Sequence, residues 1–151
     1  MGTASTRVIL RNGVGAYPTP DKLARFLVSW AIRGVADTMM DPCCGDGVFL
    51  EAAADRFAFL GAHDEAIKQI TGVELDSETA KQAVERLHGK YGISPNIISQ
   101  GFFKTLQTLH GESFDVVAGN PPFVRYRNFL PEEERDRAFG FLGTSVSNRQ
   151  S

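Results

Sequence analysis

The sequence predicts an α/β protein in which helices pack on a mostly parallel sheet. Short apolar runs alternate with segments of about 12 residues whose apolar side chains recur at helical spacing. A glycine-rich turn joins the first run to the segment after it. Apolar residues make up 42% of the 151 residues and charged residues 23%, a composition that excludes disorder as the main state. No apolar run approaches the ~20 residues of a membrane-spanning helix.

The first helix is expected after a loose lead-in, residues 1–16. We expect Thr19 to be its N-cap, with Pro20 at the first helical position and Asp21 near the positive end of the helix dipole. Gly34 is expected to end it. Its apolar side chains share one face, which consists of Leu23, Phe26, Leu27 and Trp30.

Four strands and two further helices are expected next, and one more helix follows them. The strands are the runs 36–40, 70–75, 96–99 and 114–118. One helix covers 48–60 and is closed by Gly61. The next is capped by Ser77, and its apolar face holds Ala80, Ala83, Val84 and Leu87. The last runs from Pro131 to Leu142, with acidic residues in its first turn.

The charge balance limits the function classes. There are 16 Lys and Arg against 18 Asp and Glu, a net charge of −2, whereas proteins that hold nucleic acid by its phosphates are usually basic. Any DNA or RNA contact is therefore expected to be local, made by another segment, or absent. The three histidines show no metal-ligand spacing, so no metal is expected. The adjacent pair Cys43 and Cys44 cannot form a disulfide framework, which favours a reducing, cytoplasmic setting and small packing side chains.

The first motif with chemical content is DPCCGDG, residues 41–47. Its glycines allow backbone to approach a ligand closely, and the following helix N-terminus suits an anion. Asp41, at the strand end, can accept from an ammonium group. A site that offers both signs fits a zwitterionic amino-acid moiety better than a pyrophosphate, and Leu50 stands where a dinucleotide motif has its third glycine. The alternative is a generic glycine turn.

The second and third motifs follow two later strands. We expect Glu74 to bind both hydroxyls of a ribose and Asp76 to help start the next helix. In Asn120-Pro121-Pro122-Phe123 the prolines fix a loop that can present the Asn120 amide oxygen and a carbonyl to an exocyclic amino group, with Phe123 as a flat surface for a ring. The alternatives are a surface acid and a Pro-rich turn with a core Phe.

Taken in order, AYPTP, DPCCGDG, GVELD and FDVVAGNPPF resemble the N-terminal part of class I S-adenosylmethionine (AdoMet)-dependent DNA adenine-N6 methyltransferases of the gamma arrangement. In that arrangement the cofactor motifs precede NPP[YF] and a target-recognition domain lies C-terminal. The resemblance covers roughly residues 14–126. It implies a Rossmann-like parallel sheet that comprises the first four strands of a class I methyltransferase domain, with AdoMet as cofactor.

The resemblance also implies residue roles. Asn120 and the Pro121 carbonyl would bind the target N6 amino group, Pro122 belongs to the same motif, and Phe123 would stack on a flipped base. The cofactor-binding residues would be Tyr17, Thr19, Pro20, Asp41, Cys43, Gly45, Gly47, Glu74 and Phe102. The family's acid after the third strand is replaced by Gly101, and Gln100 or Ser99 is the candidate substitute.

The chain is expected to be incomplete as an enzyme, because residues after NPPF cannot supply the family's remaining strands and recognition domain. We expect residues 17–126 to form an AdoMet-binding half-domain and residues 127–151 a helix and polar tail. The fourth strand would be left as a sheet edge, open to a complementing chain or a second copy. DNA would be bound through a C-terminal recognition region or a partner subunit, as in restriction-modification systems.

Two other functions remain open at this stage. The same motifs occur in methyltransferases that act on RNA or on protein glutamine, although the TP motif favours DNA. A non-catalytic AdoMet-binding or assembly module is the other alternative. A nucleotide-dependent dehydrogenase is disfavoured by the missing glycine.

Overall fold

The computed structural model describes residues 18–62, 68–92, 94–109 and 111–122. The elements in this part of the chain are α1 (Asp21–Ala31), β1 (Met39–Asp41), α2 (Val48–Phe59), β2 (Ile70–Glu74), α3 (Ser77–Tyr91), β3 (Asn96–Ser99), α4 (Phe102–Thr108) and β4 (Val116–Val117). None of these helices has the length and apolar character needed to cross a membrane. The expected lead-in and the helix from Pro131 to Leu142 lie outside the described residues.

All four strands run parallel, in the order β3-β2-β1-β4. Met39 of β1 pairs with Ile70 of β2 on one side and with Val116 of β4 on the other, so β1 is an inner strand. Because the strands are parallel, their carboxyl ends lie along the same edge of the sheet. The predicted parallel α/β fold is confirmed, and the three motifs all follow strands at this edge.

The core forms where α2 is enclosed by its neighbours. This helix packs against α1, α3 and the sheet. Its side chains are therefore buried on several sides, and the buried group includes Phe49, Leu50 and Phe57. A helix that is apolar nearly all round is expected at such a central position.

Both predicted N-caps were wrong, and the first helix ends at Ala31, with Ile32 as its C-cap, and not at Gly34. Helix α1 has Pro20 in the N-cap position, where its carbonyl accepts from the backbone N–H groups of Leu23 (2.9 Å) and Ala24 (3.2 Å) and no side chain caps the helix. Helix α3 is capped by Asp76, whose carboxylate accepts from the backbone N–H of Thr79 (2.9 Å) and from its hydroxyl. Ser77 is already the first helical residue, and the role predicted for Asp76 is confirmed.

The apolar face predicted for α1 is not the face that packs. Ala24 and Val28 are fully buried, whereas the four larger side chains are exposed, at 48% for Leu23, 67% for Phe26, 40% for Leu27 and 73% for Trp30. Small side chains make the contact with α2, and the large stripe lies beside it, on the outer surface.

Strands β1 and β4 are shorter than predicted because a side chain replaces part of the backbone ladder before them. The Asp115 carboxylate accepts from the backbone N–H of Thr38 (2.8 Å) and from its hydroxyl, and the Asp115 N–H donates to the Thr38 hydroxyl (3.1 Å). Helix α4 was not predicted at all.

Gly72 of β2 permits the glycine-rich turn to pack on the sheet. A Cβ at this position would lie 2.8 Å from Leu50 Cδ1 and 2.9 Å from Cys44 Sγ, both shorter than real Cβ contacts. Gly72 pairs with Asp41, so this close approach occurs directly beside the first motif.

We predict that Gly72→Ala lowers the free energy of unfolding by about 1–3 kcal/mol, because the added methyl group pushes the Leu50 and Cys44 side chains away from β2. Urea denaturation followed by circular dichroism measures this change. The matched control is Gly89→Ala in α3, where an added Cβ meets nothing within 4 Å and helix propensity predicts a gain of up to about 1 kcal/mol. Equal effects at the two positions would contradict the packing argument.

Candidate functional site

The loop of residues 42–47 carries backbone over the carboxyl end of β2. The Cys44 N–H donates to the Val73 carbonyl (2.9 Å), which ties the loop to that strand. Gly45 and Gly47 have φ angles of +56° and +89°, in the left-handed region that side chains disfavour. The glycines are therefore required by the backbone path of this turn.

Asp41, the last residue of β1, is buried beneath this loop. Only 1% of its surface is exposed, and its Oδ1 accepts from the backbone N–H of Cys43 (3.0 Å). Burial first, and then the charge of Glu74, raise the pKa of Asp41 to about 7, against the opposing effect of the Cys43 hydrogen bond. A cationic group beside Asp41 would stabilise its charged form, because it would compensate the buried negative charge.

Glu74, the last residue of β2, accepts hydrogen bonds from two backbone segments, the glycine loop and the start of α3. Its Oε2 accepts from the N–H of Gly45 (3.0 Å) and its Oε1 from the N–H of Asp76 (2.8 Å). The first and second motifs are thus joined directly. Because each carboxylate oxygen has a second lone pair, Glu74 retains the capacity to accept from ligand hydroxyls.

The third motif reaches the same place through Gly119. A Cβ on Gly119 would lie 2.2 Å from Asp41 Oδ1 and 2.8 Å from its Cγ. The Ala118 N–H donates to the Met40 carbonyl (3.0 Å), which holds this segment against β1. Asn120 is the next residue and is half-buried. Asp41 therefore lies between the glycine loop and the segment that leads to Asn120 and contacts both.

The remaining predicted site residues are placed less closely. Cys43 is half-buried; burial first, then the charges of Asp41 and Glu74, raise the pKa of its thiol to about 11, so it is protonated at neutral pH. Pro121 is exposed and Pro122 half-buried.

The residues before α1 and after β3 complete the set. Thr19 is half-buried and Pro20 exposed at the start of α1, and Phe102 is half-buried at the start of α4. Tyr17 and Phe123 lie outside the described residues.

The segment that lacks the family's acid begins α4. Gly101 is its N-cap and is buried, and its carbonyl accepts from the Thr105 hydroxyl (3.1 Å). Gln100 is half-buried and Ser99 exposed. Whether Gln100 or Ser99 substitutes for the family's acid stays a prediction.

Sequence reasoning missed Gly72, Gly119 and Arg86. The two glycines are needed because side chains distant in sequence approach them, which no local pattern reports. Arg86 contacts Asp46 of the glycine loop from α3, 40 residues away. A glycine before Asn120 was visible in the sequence, but its neighbour across the sheet was not.

We predict that Asp41→Asn stabilises the fold at high pH. Because the folded pKa of Asp41, about 7, lies above its ordinary value of 3.8, the folded state binds the proton more tightly. The stability of the parent chain should therefore fall as pH rises from about 4 to 7, by an amount on the order of a few kcal/mol, and the variant should lack this part of the slope. Unfolding midpoints at pH 5 and pH 8 measure the difference.

Asp115→Asn is the contrasting control. The N–H and hydroxyl of Thr38 hold the pKa of exposed Asp115 below its ordinary value, so its contribution is present above that value and is lost as pH falls. If Asp41→Asn showed the same pH trend as Asp115→Asn, the claim that burial raises the pKa of Asp41 would be wrong.

Comparison with known proteins agrees with this architecture. The model of the N-6 DNA methylase family matches residues 10–150. The type II methyltransferase M.TthHB8I of Thermus thermophilus is 30% identical over 110 residues, which are 73% of this chain and 21% of that protein. M.HincII of Haemophilus influenzae is 21% identical over 82% of this chain and 20% of its own length. The chain thus spans about a fifth of the curated relatives it matches.

Solved structures show the same fold. A modification subunit assigned to a type I restriction enzyme of Vibrio vulnificus superposes with a TM-score of 0.62 at 23% identity, over 85% of this chain and 29% of that one. A protein described as a class I S-adenosylmethionine-dependent methyltransferase, from Listeria monocytogenes, gives 0.58 at 21% identity, over 80% and 35%. A protein described as a methyltransferase, solved with S-adenosylhomocysteine (SAH), gives 0.54 at 17% identity, over 85% and 41%.

The described strands therefore share the fold of part of a class I methyltransferase sheet, as predicted. The match of the family model over residues 10–150, together with this fold, establishes that the chain belongs to the N-6 DNA methylase family.

Proposed function

We propose that this chain is the cofactor-binding part of an AdoMet-dependent DNA adenine-N6 methyltransferase of the restriction-modification type. The observation that carries the proposal is the position of Asp41, buried between the glycine loop and the segment that leads to Asn120. Family membership and the type II relatives support DNA as the substrate over RNA or protein glutamine. The free thiols of Cys43 and Cys44 fit a protein of the reducing cytoplasm.

The residues present fit the methionine end of AdoMet. Asp41 is a desolvated carboxyl that an ammonium group would stabilise in its charged form. Gly45 has open space where a Cβ would stand, so a ligand can approach the loop backbone there, whereas Gly47 provides the left-handed turn where the loop packs on Ala83 of α3. Cys43 would line the same cleft.

The residues at the end of β2 fit a ribose. Glu74 is oriented by two backbone N–H groups, so it needs no rearrangement to accept hydroxyl hydrogens. Phe102, half-buried after β3, would provide an apolar surface for the adenine.

The third motif would act on the target base. When bound, AdoMet supplies an electrophilic methyl group on a sulfonium. The Asn120 side-chain oxygen and the Pro121 carbonyl would accept the two N6 hydrogens, which aims the nitrogen lone pair at that methyl group. Pro122 restricts the loop, and Phe123 would stack on the flipped base.

The exposed edge of the sheet at β4 is where we expect another protein chain to bind. Among the described residues, Val117 of β4 is 64% exposed at the outer side of the last strand. We place there a complementing chain or a second copy. We assign DNA recognition to a C-terminal recognition region or a partner subunit, because the net charge of this chain is −2.

Isothermal titration with AdoMet tests the cofactor site. Since binding requires the Asp41 carboxylate, the affinity should be about five- to tenfold weaker at pH 6 than at pH 7.5, with a proton released on binding. Asp41→Asn should bind weakly at both values without this pH dependence. Glu112→Gln, an exposed acid before β4, is the control and should behave as the parent chain. Absence of heat at millimolar AdoMet would overturn the proposal.

The base-binding role of Asn120 can be tested without turnover. A bisubstrate analogue in which SAH is joined to adenine N6 should bind more tightly than SAH. Asn120→Ala should weaken the analogue by about tenfold, through loss of an amide acceptor, while SAH affinity stays within about twofold. Equal weakening of both ligands would show that Asn120 serves the cofactor instead.

A further inference from the structure

Arg86, on α3, contacts three carboxylates from three different parts of the chain. Its Nε donates to Glu51 Oε2 (2.5 Å), its Nη1 to Asp46 Oδ2 (2.9 Å) and its Nη2 to Asp21 Oδ1 (3.4 Å). A planar guanidinium can serve three partners at once because its donors are held in a fixed fork.

The positions of two of these partners give the contact its significance. Asp46 lies between the left-handed residues Gly45 and Gly47, in the centre of the glycine loop. Asp21 is the first residue of α1, directly after Thr19 and Pro20. A single side chain thus joins the two segments that are expected to line the methionine end of the cofactor.

The third partner anchors the arrangement. Glu51 is only 15% exposed and lies on α2, whereas Asp46 and Asp21 are each 61% exposed. The Glu51 contact therefore fixes the guanidinium on the body of the protein, and the two exposed contacts tie the glycine loop and the start of α1 to it.

We propose that Arg86 is a positioning residue that keeps the glycine loop and the start of α1 in the cofactor-binding arrangement. The inference rests on the proposed AdoMet site, which it deepens by adding a residue that touches no ligand. Loss of the Arg86 guanidinium should lower cofactor affinity by releasing the glycine loop, and it should leave the rest of the fold nearly intact.

Lys90 provides a matched control. It lies one helical turn further along α3 and contacts Glu51 Oε1 (2.8 Å) and Asp55 (2.9 Å). Within the described residues, its ion pairs do not include Asp46 or Asp21. Lys90→Gln thus removes the same charge from the same network without touching the loop.

The first test is titration of AdoMet into the parent chain and both variants. Arg86→Gln should weaken binding by about three- to fivefold, whereas Lys90→Gln should change it by less than about twofold. Asp46→Asn in the Arg86→Gln background should add nothing further, because the contact is already lost. Arg86→Lys should recover part of the affinity. Equal weakening by Arg86→Gln and Lys90→Gln would reduce Arg86 to a general stabilising role and overturn the inference.

The second test needs no ligand. Amide hydrogen exchange at residues 45–47 of the free protein should be faster in Arg86→Gln than in Lys90→Gln and the parent chain. If the parent chain does not bind AdoMet, the proposed function fails, but this measurement still decides the role of Arg86. Unchanged loop exchange in Arg86→Gln would contradict it.

Discussion

The burial of one carboxyl group determines the arrangement at the carboxyl edge of the sheet. Asp41 is covered by the glycine loop, hydrogen-bonded to Cys43, and so close to Gly119 that no larger residue fits there. The order β2-β1-β4 brings both covering segments to the same inner strand. Glu74 adds the second strand by binding Gly45. The three motifs converge because each follows a strand that neighbours β1 or is β1 itself.

A buried acid of this kind destabilises the fold that contains it. Burial first, and then the charge of Glu74, raise the pKa of Asp41 to about 7, so at neutral pH the folded protein holds a partly charged group with one hydrogen bond. A purely structural role would be served as well by an uncharged side chain. Carboxyls with perturbed pKa values are frequent at functional sites, and this is the reason for assigning Asp41 to a ligand in the proposed function.

The fold class and the two acids at strand ends could be predicted from sequence because both depend on local patterns. Strands β1 and β2 each end in an acid, and parallel strands must end together. Gly72, Gly119 and Arg86 could not be predicted, since their importance comes from atoms distant along the chain. The large stripe on α1 misled for the same reason: periodicity identifies a face, and only the neighbour decides which face packs. Tyr17 and Phe123 lie outside the described residues, so their roles stay predictions.

The central claim is that the tips of β1, β2 and β4 form one ligand site. Titration of SAH into ¹⁵N-labelled protein, followed by amide chemical shifts, tests it most directly. The account predicts that the amides of Cys43, Gly45, Asp76 and Gly119 shift together along a single saturable isotherm, while the Val35 amide, before β1, does not respond. Shifts confined to one of the three segments, or separate isotherms for them, would contradict it.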